Sequence, residues 1–387
     1  MANNNKHTGP NVPALRFPEF SGEWERYRLD ECVTFLDEKR KPIKSSDRVS
    51  EKGLYPYYGA SGIIDRIDNF IFDDDLVLLS EDGANILDRN YRVAFIVRGK
   101  AWINNHAHVL KPNCHTDIVF LSESLERIDY APYNTGTTMP KLNQEVCRGI
   151  MLYMPTPTEQ AKIGSLLKLV NERIEAQSKI IEDKETLYKA IIDKHFKEIR
   201  KNESIQEVYL SNVFKERVEY SSNDGVFPHA SLTKEGVNIK TDRYNRDFLV
   251  KDTEKQYKVT RINDICYNPA NLKFGVITRN KVGTLIFSPI YVTFEVRNGY
   301  DPAYIELMVT NSDFVNKMLR FQEGTVYERM AVSSEDFLSE SCKIPDLEIQ
   351  KEFSAHVSII EQSIQVEKKY LESICRIKNF ILEAMFI

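Results

Sequence analysis

Two stretches gather side chains of the kinds that hold metals or move protons. "NNHAHVLKPNCH" brings together His106, His108, Cys114 and His115, all ligand types that zinc accepts. Their spacing matches no zinc pattern, and His106 and His108 are expected to be turn or core residues. "FDDDLVLLSED" (residues 72–82) offers five carboxylates that could meet a divalent cation. The simpler reading is a turn at residues 73–75 before a buried strand, because "LVLL" is a continuous apolar run. No metal ligand is assigned.

Two further stretches imitate enzyme motifs and fall short. "YNPAN" (residues 267–271) is similar to part of the Asn-Pro-Pro-aromatic loop with which amino-methyltransferases hold a target amino group. The second proline and the aromatic are missing, and no glycine-rich cofactor loop precedes it. "PDLEIQK" (residues 345–351) has the acids of a nuclease motif without its acidic-x-Lys element. Asp346 and Glu348 suit a helix N-terminus instead. Neither a P-loop nor a nucleophile elbow occurs. No catalytic residue is assigned, and the chain reads as a binder.

The elements that would position a binding surface are plainer. The 387 residues are enough for two domains with connectors. A hydrophobic share of 42% with 28% charged residues describes a soluble globular protein. No apolar run approaches the ~20 residues of a membrane span, and "MANNNKHTGPNVPAL" lacks the apolar core of a signal peptide. The six cysteines form no CxxC pair and read as reduced thiols of a cytoplasmic protein. The net charge of −5 is not that of a bulk nucleic-acid binder. Basic residues nevertheless outnumber acidic ones between Lys234 and Lys281, and "EKRKPIK" (residues 38–44) forms a shorter basic knot.

Residues 21–154 alternate short apolar runs with turn signals. "LVLLSEDGAN", "YRVAFIVRGK" and "DIVFL" read as strands and "SESLERI" as a short helix. Residues 207–344 have the same character. Residues 158–201 differ: they contain no proline and a single glycine, Gly164. Ile163, Leu167, Val170, Ile174, Ile181, Tyr188 and Ile191 recur there as a heptad seam. Phe353, Val357, Ile360, Ile364, Leu371, Ile374, Ile381 and Met385 continue the frame in a second copy. Some forty helical residues make a rod of ~60 Å.

The two rods overlay without a gap at an offset of 190 residues. Pro155 then falls on Pro345, Gln160 on Gln350, Ile174 on Ile364 and Phe196 on Phe386. The polar Gln177 and Glu367 interrupt both seams at matched places, which can fix pairing register. The mixed units repeat more faintly: "RYRLDECVTF" resembles "EVYLSNVFKE", and "GTTMPKLN" (136–143) stands where "GTVYERMAV" (324–332) does. The expected organisation is residues 1–154 as a first recognition domain, 155–203 as a central spacer helix, 204–344 as a second recognition domain and 345–387 as a C-terminal spacer helix. The fold class is α+β, two mixed domains separated by two long helices in an antiparallel coiled coil with a pseudo-twofold repeat. Equal rods pairing this way would place the units at opposite ends.

Two unlike readers on a stiff spacer suit a bipartite target, and duplex DNA offers one at each helical turn. "VPALRFPEFSGEWERYRLDE" resembles the opening of specificity subunits of type I restriction–modification systems. "YPYYGASGIID", "LLSEDGANILDR", "WINNHAHVLKP" and the proline–glutamine helix entrances resemble that family's recognition domains and spacers, in the family's order and over nearly the entire chain. The resemblance implies a non-catalytic subunit of the cytoplasm that binds double-stranded DNA, one half-site per unit. It implies two methyltransferase (modification) subunits docked on the coiled coil, restriction/translocase subunits joining them, and no membrane. It also implies no cofactor on this chain, with S-adenosylmethionine, ATP and Mg held by the partners. The alternative is a self-contained DNA methyltransferase or nuclease.

Loop positions are the expected DNA contacts. In the first unit these are Lys39, Lys41, Tyr57, Tyr58, Ser61, Asn104, Asn105, Thr137, Thr138 and Lys141. In the second they are Lys234, Arg243, Arg246, Asn268, Asn271, Lys273, Arg279, Tyr327 and Arg329. Basic residues would meet phosphates, and amides and hydroxyls would read base edges.

Overall fold

A computed structural model describes residues 11–44, 46, 53–222, 226–234, 236–240, 256–321 and 331–387. The chain divides into two units, Met1–Ser178 with Lys369–Ile387, and Lys179–Lys368. Each unit is a set of small sheets closed onto a pair of helix halves.

In the first unit a strand (Glu25–Arg28), a helical turn (Leu29–Cys32) and a second strand (Val33–Phe35) open the fold. The first of these strands pairs antiparallel with Met151–Met154, where the unit's chain closes. Val33–Phe35 edges an antiparallel sheet in the order Val33–Phe35, Ala107–Pro112, Leu76–Ser80, Ala94–Val97. Every residue of Leu76–Ser80 is buried, as its unbroken apolar run requires. A second sheet orders Gly62–Ile67, Tyr55–Gly59, Lys100–Ile103 and Phe72–Asp73, with its central pair parallel.

The expected strand at "DIVFL" is instead the start of a helix, Ile118–Arg127. Asp117 caps it, accepting from the Val119 and Phe120 amides at 3.0 and 2.9 Å. Val119, Phe120 and Leu121 are all buried. A short apolar run carries no period that tells a buried helix from a strand, so the cap decides.

The second unit repeats this plan. Glu207–Tyr209, Leu210–Val213 and Phe214–Glu216 form the same strand, turn and strand, in the register at which "EVYLSNVFKE" matches "RYRLDECVTF". Glu207–Tyr209 pairs with Ser341–Lys343. The main sheet orders Phe214–Glu216, Val292–Val296, Ile265–Tyr267 and Ile277–Arg279, the counterpart of the first unit's antiparallel sheet. Helix Pro302–Thr310 is capped by Asp301 as Ile118–Arg127 is by Asp117.

Both predicted rods are single helices, Pro157–Lys201 and Leu347–Met385. In the first unit their halves run antiparallel. Ile163 and Leu167 share a core with Ile381 and Met385, and Arg173 donates to the Tyr370 hydroxyl at 3.2 Å. In the second unit Lys184 meets Glu367 at 2.7 Å and the His195 ring stacks on Phe353 at 3.6 Å. Of the predicted seam, Ile163, Leu167, Ile181, Val357, Ile364 and Ile381 are buried. Val170, Ile174, Ile191, Phe353, Ile360 and Leu371 are half-buried. Near the end of the first helix the buried row passes to Ile192, Phe196 and Ile199, because a straight helix drifts ~20° per heptad.

The repeated glutamine has a structural reason. Gln160 Nε2 donates to the Pro155 carbonyl at 2.8 Å, and its Oε1 accepts from the Asp117 amide at 3.0 Å. Gln350 does the same with the Pro345 carbonyl at 2.7 Å and the Asp301 amide at 2.9 Å. Both glutamines are buried. Each joins the entrance of a long helix to the capped start of its unit's own helix. Gly164 lies one turn on, where any Cβ would run into the Asp117 carboxylate.

Gln160→Leu leaves a buried donor and acceptor unpaired and should destabilise the first unit by about 2 kcal/mol or more. Gln350→Leu should do the same to the second. Hydrogen exchange at helices Ile118–Arg127 and Pro302–Thr310 measures this. Loosening of both helices by either variant, or of neither, would contradict a local tie.

Candidate nucleic-acid interface

In the first unit most of the predicted loop positions converge on one rim. The Lys41 amide donates to the Ile103 carbonyl at 3.4 Å, and Trp102 Nε1 donates to the Lys41 carbonyl at 2.6 Å. The Asn104 amide donates to the Tyr58 carbonyl at 3.0 Å, which sets Asn104 and Asn105 beside the turn that contains Ser61. Beyond them, the Glu81 amide donates to the His106 carbonyl, and the Gly83 amide to the Pro140 carbonyl. The 135–142 loop thus joins the same rim.

That loop is closed on itself. The Asn134 carboxamide oxygen accepts from the Gly136 and Lys141 amides, both at 2.9 Å. A side chain at Gly136 would collide with the Met139 carbonyl. Thr137, Thr138 and Lys141 are left exposed. Lys39 and Lys41 are also exposed. Tyr57 is not presented: its ring is buried, and its hydroxyl accepts from the Ile43 amide at 3.1 Å. It holds the basic segment to the sheet.

Beneath the rim lies an ionic network that composition and motif reading did not single out. His108 is fully buried, with Nδ1 2.6 Å from Asp37 Oδ2 and Nε2 2.8 Å from the Leu142 carbonyl. Both partners accept only, so both ring nitrogens donate and the imidazole is a cation. Burial alone would lower its pKa, but the Asp37 carboxylate, with Cys147 behind it, raises it to about 10. Asp37 in turn stays below the usual carboxylate range despite burial, because of His108, the Val109 amide and Arg40. Arg40 and Lys141 both reach Glu81, at 2.6 and 3.3 Å. Asp37 lies 71 residues from His108, and that separation left no local pattern to read.

The second unit gathers fewer of its predicted residues. Lys234 is in the turn of the hairpin Ala230–Thr233/Gly236–Ile239. Asn268 is buried and caps the helical turn Pro269–Phe274, on which Asn271 and Lys273 are exposed. The Val332 amide donates to the Pro269 carbonyl at 3.2 Å, and Tyr267 donates from its hydroxyl to the Val332 carbonyl at 3.1 Å. The same place in the first unit is Leu142, held by Glu81 and His108. Arg279 is not brought to this end. It pairs with Ile265 across the sheet, and its guanidinium meets Glu306 at 3.0 Å. Arg243, Arg246, Tyr327 and Arg329 lie outside the described residues.

The stability that His108 gains from its partners is fully present below its ordinary pKa of about 6.5 and is lost as pH rises through about 10. Urea unfolding across pH 6.5–10.5 should therefore show the wild type converging on His108→Gln as pH rises. A constant gap between the two would refute a charged His108.

Residues 21–183 match the family model described as the type I restriction modification DNA specificity domain. A Haemophilus influenzae protein named as a type I restriction enzyme specificity subunit is 35% identical over 145 residues. That match covers 38% of this chain, and the chain spans about a third (36%) of the relative's length. The crystal structure of the S subunit of the Mycoplasma genitalium type I restriction-modification system superposes with a TM-score of 0.63 at 16% identity, covering 97% of this chain and 99% of that one. A chain from a study of complex assembly in the type I R-M system superposes at 0.53 with 14% identity, over 94% and 98%. Among the described residues no helix is long and apolar enough to cross a membrane. Residues 21–183 thus match a type I restriction-modification DNA specificity domain, and 97% of the chain shares the fold of the Mycoplasma genitalium S subunit.

Proposed function

We propose that this chain is the non-catalytic, sequence-specific DNA-binding subunit of a cytoplasmic type I restriction–modification complex. Each unit reads one half of a bipartite, asymmetric target, and the helices set the gap between the halves. The observation that carries this is a duplicated frame with unlike rims. Sheet order, caps and glutamine ties repeat. The exposed Lys234, Asn271 and Lys273 of one rim, however, stand on a hairpin and a helical turn unlike the loops that carry Lys41, Asn105 and Thr137 on the other. A frame kept while its loops diverge is what two different half-sites require.

The helices also serve as the docking surface for two modification subunits, with restriction subunits joining that core. Each unit exposes the same three apolar helix positions. Leu169 and Ile359 are 64% and 63% exposed, and they coincide at the 190-residue offset. Ile180 with Tyr370, and Leu187 with Ile377, are likewise exposed pairs. The first unit thus carries Leu169, Tyr370 and Ile377, and the second carries Ile359, Ile180 and Leu187. Equivalent apolar positions off the seam suit two copies of one partner.

Two experiments test this. Four helical residues inserted in both rods lengthen the spacer by ~6 Å, about two base pairs of rise. Methylation mapping should then show a wider gap between unchanged half-sites, and an unchanged gap would sink the spacer role. Serine at Leu169, Tyr370 and Ile377 together should reduce the modification subunits in the complex from two to one by native mass spectrometry. Retention of both would overturn the docking assignment.

A further inference from the structure

The hairpin Tyr55–Gly59/Gly62–Ile67 contains a bulge. Tyr57 pairs with Asp65 but Tyr58 with Ile63, so Ile64 is the extra residue. A bulge re-aims a side chain, and here Ile63 and Ile64 are both exposed in succession. Beside them is Asn104, only 5% exposed. Its Oδ1 accepts from the His106 amide at 2.9 Å, which fixes the carboxamide with its Nδ2 turned the other way. That Nδ2 has no partner among the described residues, and it is not among the sealed, unsatisfied buried atoms. Solvent therefore still reaches it. Gly59 leaves the opening: a Cβ there would lie 3.2 Å from Ile64 Cγ2 and 3.5 Å from Asn104 Nδ2.

An oriented N–H donor next to a branched apolar group is the complement of one base edge. Thymine alone presents an O4 acceptor beside a 5-methyl group in the major groove. Adenine needs a donor and an acceptor from one amide, and Asn104 Oδ1 is already engaged. Guanine offers acceptors but gives Ile64 nothing apolar to meet. We propose that the Gly59 opening reads a thymine, with Asn104 Nδ2 donating to O4 and Ile64 packing on the methyl group.

This inference rests on the DNA-reading role proposed above. The test uses the full chain assembled with its modification subunits, on duplexes carrying the target mapped from methylated positions. Each thymine in both half-sites is replaced singly by deoxyuridine, which lacks only the methyl group. One position should lose about fourfold in competition binding, and Ile64→Ala should abolish that loss. Asn104→Asp keeps an acceptor for the His106 amide and replaces the donor by an acceptor, so it should turn the preference at that base pair from thymine to cytosine by tenfold or more. Gly59→Ala should weaken the same position alone.

Indifference to deoxyuridine everywhere, or a loss that persists in Ile64→Ala, would overturn the inference. So would an Asn104→Asp complex that still prefers thymine while discriminating normally at the other half-site. A wild-type complex with no bipartite target would instead overturn the DNA-reading role itself.

Discussion

In each unit one buried carboxamide registers the long helix against the unit's own capped helix. Gln160 and Gln350 use both halves of the amide, so each can face only one way. The acceptor takes the amide of a capping aspartate, and the donor takes the carbonyl of the proline that ends the preceding segment. A helix of some forty residues is thereby fixed at one point to the helix that lies on the sheet. In the first unit Arg16 adds a second restraint: its guanidinium meets both oxygens of the buried Glu159 at 2.7 Å. The adjacent Leu15 amide donates to the Ala384 carbonyl. The "ALRFPEF" opening thus works as a fastening between the helix entrance and the end of the second helix.

With the helices fixed at their entrances, the sheets need only carry their loops. They do so with charge kept below the surface and donors above it. Asp37, Glu81, Arg40 and His108 neutralise one another beneath the first rim. Lys39 and Lys41 remain exposed on its outside. Net charge is a sum over the whole chain and says little about such a surface, where Lys39 and Lys41 stand exposed above acids that are already paired.

The long elements were legible because their signals are long. Heptads over some forty residues, a proline and a glutamine at equal offsets, and a matched polar break all point one way, and both helices follow. The strand–turn–strand repeat was also readable, since Leu29 and Leu210 stand at the same step. "DIVFL" was not, because five apolar-rich residues carry no period and the cap that decides is a single aspartate. Within the predicted rim, residue type pointed to the loops but not to each side chain's fate. Tyr57 and Asn268 are polar residues on loop-like stretches, yet both are buried and serve the backbone. The Asp37–His108 pair and the bulge at Ile64 depend on strand pairing, which no local window contains.

The carbonyls of Leu142 and Val332 stand at the same place in the two units, yet His108 holds one and Tyr267 the other. The ring nitrogen comes from one strand of the sheet and the phenol from its neighbour. The frame therefore demands a donor at a point in space and is indifferent to which strand sends it. Such a requirement can be met again from a new direction whenever a core position drifts. The old donor then becomes dispensable, and its strand is free to change, one unit at a time, without the other having to follow.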